Sequence, residues 1–71
     1  MGWFSMTKQE IEALKPGDKI YCPFTSEKWI VYFWQNDKKN KLDILIVQDV
    51  LKTYHWFLTK EQLRRYIKIK E

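Results

Sequence analysis

Apolar positions in this chain recur first at helical spacing and then, from Lys19 onward, mostly at strand spacing. Thr7-Lys8-Gln9-Glu10 has the spacing of a capping box, in which the Thr7 hydroxyl accepts from the Glu10 N–H and the Glu10 carboxylate reaches back. Ile11 and Leu14 then give a short helix its apolar side, and Trp3 or Phe4 is expected to pack beside them. Pro16 disfavours helix at Lys15 and Gly17 supplies a turn, so the helix ends there. Strands are expected over Lys19–Phe24, Lys28–Gln35, Leu42–Val50 and Thr53–Leu58. They are joined by Thr25–Glu27, by a polar hairpin tip at Asn36–Lys41, and by a short link starting at Lys52. Pro23 places the end of the first strand at a sheet edge or a bulge. Thr59 opens a second capping-box spacing, with Gln62 in the acidic position, sufficient for one turn of helix. Tyr66–Lys70 alternates as a last strand, with Ile67 and Ile69 inward and Tyr66, Lys68 and Lys70 outward.

The second strand departs from the pattern of a sheet with one wet face. From Trp29 to Trp34 every residue is apolar or aromatic. Strict alternation puts Trp29, Val31 and Phe33 on one face and Ile30, Tyr32 and Trp34 on the other. Either the sheet bends until both faces are covered, or one aromatic face is left for a partner. On the third strand Leu42, Ile44 and Ile46 share a face, and Leu45 and Val47 share the other with Asp43 and Asp49. On the fourth, Tyr54, Trp56 and Leu58 lie opposite His55 and Phe57.

Short antiparallel strands in a small chain remove their edges by curling into a barrel. The expected fold is therefore mostly β: about five antiparallel strands in a small barrel, with a short N-terminal helix and a single helical turn before the last strand. Leu14-Lys15-Pro16-Gly17-Asp18-Lys19-Ile20 resembles the L-x-x-G-D-x-V entry to the first strand of the SH3-like barrels, the KOW and Tudor-type modules among them. Leu58-Thr59-Lys60-Glu61-Gln62-Leu63 is similar to the single turn before their last strand. The resemblance covers about residues 14 to 70; the long apolar second strand and the N-terminal helix depart from the minimal pattern. It implies one barrel domain over residues 1–71, with 1–17 as a helical extension.

Seventy-one residues make one domain near the lower limit for a self-sufficient core. Four Trp, four Tyr and four Phe compensate, because aromatic rings bury more area per residue than aliphatic side chains. The single Cys22 has no disulfide partner, and one Cys with one His makes no zinc site, so no metal and no cofactor is expected. Cys22 follows Tyr21 and precedes Pro23, and reads as a buried, inert thiol suited to a reducing cytoplasm. No run of about eighteen apolar residues spans a membrane and no leader pattern opens the chain, so a cytoplasmic location is expected.

Enzymatic chemistry is not expected. His55 has no marked nucleophile partner, and with glycine only at positions 2 and 17 there is no glycine-rich phosphate loop. The formal net charge of +4 favours anionic partners. Eleven of the thirteen cations are Lys, so the adjacent Arg64 and Arg65 are the two guanidinium forks suited to phosphate or carboxylate. The candidate binding residues are Arg64, Arg65, Lys68 and Lys70 for phosphate, Tyr66, Trp34, Trp56, Tyr32 and Tyr54 for stacking, and Lys38 and Lys39 as a second basic point at the hairpin tip. The leading expectation is a small basic module that contacts nucleic acid, alone or as an accessory subunit of a nucleic-acid-handling complex. The alternative is a protein–protein module whose exposed Trp and Tyr are hot spots, by class-level analogy with phage or mobile-element proteins that inhibit or tether a host factor.

Overall fold

The structure, a computed structural model, describes residues 5–69. Trp3, Phe4 and Lys70, named above, lie outside those residues. The elements run α1 (Lys8–Glu12), β1 (Lys19–Cys22), β2 (Glu27–Asp37), β3 (Leu42–Asp49), β4 (His55–Thr59), α2 (Lys60–Leu63) and β5 (Ile67–Ile69). The fold is mostly β: five antiparallel strands form one sheet in the order β4-β3-β2-β1-β5. The sheet is open, because among the described residues no ladder joins β4 to β5; the single turn of α2 bridges them.

Both capping boxes form. The Thr7 hydroxyl accepts from the Glu10 N–H at 3.1 Å and the Glu10 carboxylate from the Thr7 N–H at 2.8 Å. Thr59 and Gln62 repeat the exchange at 3.2 and 2.9 Å. A helix of one turn gains little from its own hydrogen bonds, so caps and buried anchors hold it. The anchors are Ile11 for α1 and Leu63 for α2, both inside the one core. Between α1 and β1 the chain turns at Gly17, whose φ is 95°. The Gly17 N–H donates to the Val31 carbonyl at 2.9 Å, and the Val31 N–H donates to the Asp18 carbonyl at 2.7 Å, which extends the β1–β2 ladder. A Cβ on Gly17 would meet nothing within 4 Å, so Gly17→Ala carries backbone strain alone. The expected cost is about 1–2 kcal/mol, read as a lower denaturant midpoint at unchanged slope.

The apolar run of β2 is resolved by a bulge. The register with β3 shifts between Val31 and Phe33, leaving Tyr32 as the extra residue. One inserted residue reverses the parity of everything beyond it. Trp29 and Val31 therefore face the core before the bulge and Trp34 faces it afterwards, opposite buried Leu45. Strict alternation, which paired Phe33 with Trp29 and Val31, is corrected: Phe33 lies on the outer face. The inner rows are Val31–Val47–Trp56 and Trp34–Leu45–Leu58; the outer rows are Phe33–Ile46–Phe57 and Ile30–Gln48–His55.

The last strand is also corrected. Lys68 pairs with fully buried Ile20 and so lies on the inner side, its ammonium 3.5 Å from the Asp18 carboxylate. Ile67 and Ile69 pair with Tyr21 and Lys19 on the outer side and are half-buried. Tyr66, expected outward, is 6% exposed. Its N–H closes the α2 turn onto the Leu63 carbonyl at 3.0 Å, so it follows the three-residue spacing of that turn and not the alternation of β5.

Candidate nucleic-acid interface

Leu63 and Tyr66 are buried three residues apart at the end of α2. The two residues between them are forced outward, and these are Arg64 and Arg65. Their backbone N–H groups donate to the Glu61 and Gln62 carbonyls at 3.3 and 3.1 Å, which fixes where the side chains leave the turn. Arg65 lines three adjoining hollows. One, a cleft of about 200 Å³ in the seam between β4 and β1, also holds Trp56, Trp29, Tyr66, Glu27 and Gln62. The second brings Arg65 and Arg64 beside Phe24 and Thr25, and the third beside Glu61. Arg65 is thus flanked by two exposed rings, Trp56 at 52% and Phe24 at 75%.

Ion pairing sorts the basic residues. Lys60 sits between Glu12 and Asp43, 3.2 Å from each carboxylate, and these hydrogen bonds, Asp43 first, raise its pKa. Lys68 is engaged by Asp18. Arg64 and Arg65 have no carboxylate within salt-bridge distance among the described residues, so their charge is available to a ligand. Lys38 and Lys39 are at the far end of the β2–β3 hairpin, about 30 Å along the strand from Trp29, and do not join the site. There the Asp37 carboxylate accepts from the Lys39 N–H and from both amides of Asn40. Those bonds, the Asn40 side chain first, lower its pKa and mark the tip as a self-contained turn.

The aromatic candidates divide. Tyr54 and Trp56 are on the seam side; Tyr54 meets Trp29 edge to face at 5.7 Å between ring centroids. Tyr32 is on the outer face, 4.9 Å from the His55 ring and 5.0 Å from Phe33. Tyr66 is buried, and Trp34 is half-buried. The Trp34 indole donates to the Leu14 carbonyl at 3.1 Å, its ring packs on the core, and the Lys60 ammonium lies 5.9 Å from it. Burial pushes the Tyr66 phenol up, with the Trp29 indole acting against that shift. The Trp29 Nε1–H is itself buried, and its approach to Tyr66 falls short of hydrogen-bond geometry. Phe24 is a further exposed ring at the site, outside the candidates that the sequence pattern marks. Its signal was Pro23, which ends β1 and leaves the next ring outside the ladder.

Asp49 holds the start of β4 in place. Its carboxylate accepts from the Thr53 N–H and hydroxyl, both at 2.6 Å, and from the Tyr54 N–H at 2.9 Å. Burial raises its pKa, but the hydrogen bonds from Thr53 and Tyr54 outweigh it and the net shift is downward. A carboxylate with a lowered folded pKa stabilises above its unfolded value of about 4, and the contribution is lost as pH falls through the folded value. Asp49→Asn is expected to melt lower than the parent at pH 7, with the gap narrowing at pH 3 in a thermal scan. Cys22 is buried, as its sequence context indicated.

Among the described residues no cluster of three or more His, Cys, Asp or Glu could hold a metal ion, and no helix is long and apolar enough to cross a membrane. Comparison with protein-family models, with curated proteins and with solved structures finds no match to this chain.

Proposed function

We propose that the chain is a small, non-enzymatic binding module that holds single-stranded nucleic acid along the seam beside α2. The observation that carries this reading is the arrangement of two unpaired guanidinium groups, with Arg65 between the exposed rings of Phe24 and Trp56 and Arg64 beside Phe24. Phosphate would be held by the guanidinium forks and unpaired bases would stack on the rings. The SH3-like resemblance is compatible with this use, since small open β modules present such grooves. A salt titration with labelled single-stranded and duplex oligonucleotides tests it. Expected is preferential binding of the single strand, falling steeply as salt rises, because phosphate contacts release counterions. No binding of either oligonucleotide at low salt removes the reading.

A second reading, a protein–protein module, is favoured by a different observation: the outer face of β2–β4 exposes Tyr32, Phe33, Leu42 and Phe57 together.

A further inference from the structure

The outer face carries no charge across its centre. The row Phe33–Ile46–Phe57 crosses three strands, with Ile44 and Gln35 in the row on one side and Ile30, Gln48 and His55 in the row on the other. Tyr32, at the bulge, lies over His55 and beside Phe33. Phe33, Phe57, Tyr32 and Leu42 are each about half exposed, and Ile30, Ile44 and Ile46 are half-buried. The inner face already supplies the core, so this second apolar face is surplus to the fold of one chain.

We propose that the outer face of β2–β4 is the interface of a two-fold symmetric homodimer. Three observations select a second copy of this chain as the occupant. Within β2–β4 the central rows are uncharged, and Lys19 of β1 stands at the end of the Ile30 row, so two chains of formal charge +4 can meet over Ile46 without opposing like charges at the axis. The unpaired arginines lie on the other side of the sheet, at the seam, and the lysines of the hairpin tip lie beyond its end. The area is also sufficient: half-exposed rings worth about 200 Å² each, with the aliphatic remainder, give about 500 Å² per copy. Two copies then reach about 1,000 Å², the lower bound for a specific interface. The two sheets pack face to face about 10 Å apart, with the axis near Ile46 and Phe57 of each copy against Phe33 of the other.

Sedimentation of the full chain over a concentration series tests this, without reference to oligonucleotide binding. The expected result is a monomer–dimer equilibrium at micromolar chain concentration. Ile46→Lys places a charge on the axis and should weaken association at least tenfold while the melting curve of the dilute monomer is retained. Phe57→Ser, at a more exposed ring, is the milder variant should Ile46→Lys fail to fold. Concentration-dependent amide shifts in the parent should map to Phe33, Ile46 and Phe57. A parent chain that stays monomeric at every concentration overturns the proposal, as does a dimer that survives in either folded variant or whose shifts map to another surface. Contacts from Trp3 to Phe33 or Phe57 within a monomer would show the chain covering its own face, and association only with a different protein would show a foreign occupant; either result also overturns it. A dimer of this kind leaves both Arg65 grooves open, so loss of oligonucleotide binding and loss of dimerisation are separable results.

Discussion

Trp34→Ala is expected to remove about 3 kcal/mol of stability, as truncation of a largely packed tryptophan does. A 71-residue domain has about 4–10 kcal/mol in total, so the variant should lose between about a third and three-quarters of its stability. The size follows from position. Behind the bulge, Trp34 faces Leu45, packs on the core, and donates its indole N–H to the Leu14 carbonyl, tying the end of the helical segment to the sheet. Trp34→Phe separates most of the packing from the hydrogen bond: a smaller phenyl ring stays on the core and the Leu14 carbonyl loses its donor, for a cost of about 1–2 kcal/mol. Denaturant unfolding of the three proteins measures both steps. A stable, fully folded Trp34→Ala protein with impaired oligonucleotide binding would return Trp34 to the role expected of it from sequence, a stacking surface.

Arg64→Ala combined with Arg65→Ala should lower the log–log salt slope of oligonucleotide binding by about two units, one for each phosphate contact removed. Trp56→Ala and Phe24→Ala should behave differently, each weakening binding by about 1–3 kcal/mol with the slope unchanged, because stacking releases no counterions. Arg64, Arg65 and Phe24 are well exposed, so their substitution should leave stability within about 0.5 kcal/mol of the parent, while Trp56, half exposed beside Val47, should cost about 1–3 kcal/mol and is assayed below its unfolding transition. Lys38→Ala with Lys39→Ala is the control, since the hairpin tip lies outside the groove. An equal fall in slope from that pair would show binding by diffuse charge and not at the seam.

Much of the local structure was legible because its causes are local. Thr7 with Glu10, and Thr59 with Gln62, satisfy backbone groups within one turn, so four residues of sequence suffice to place each helix start. Gly17 and Pro23 punctuate through their own backbone restrictions, and β1, β3 and β4 begin and end within a few residues of the expected positions. Tyr66 departs from its expected outward position because two local rules compete there, the alternation of a strand and the spacing of a turn, and the hydrogen bond to Leu63 decides between them.

A small, basic, mostly β chain, its element order, its two capped turns and the adjacency of its arginines follow from local sequence. Tertiary structure decided which faces those residues occupy. Strand parity depends on pairing with a partner distant in sequence, and one bulged residue at Tyr32 turns Trp34 inward and Phe33 outward. Charge availability is likewise a long-range property: Lys60 and Lys68 are engaged by carboxylates that folding brings to them from Glu12, Asp43 and Asp18, while Arg64 and Arg65 meet none among the described residues. Phe24 joins Trp56 beside Arg65 for the same reason, because the turn after β1 and the end of α2, some forty residues apart in sequence, meet at the open seam of the sheet.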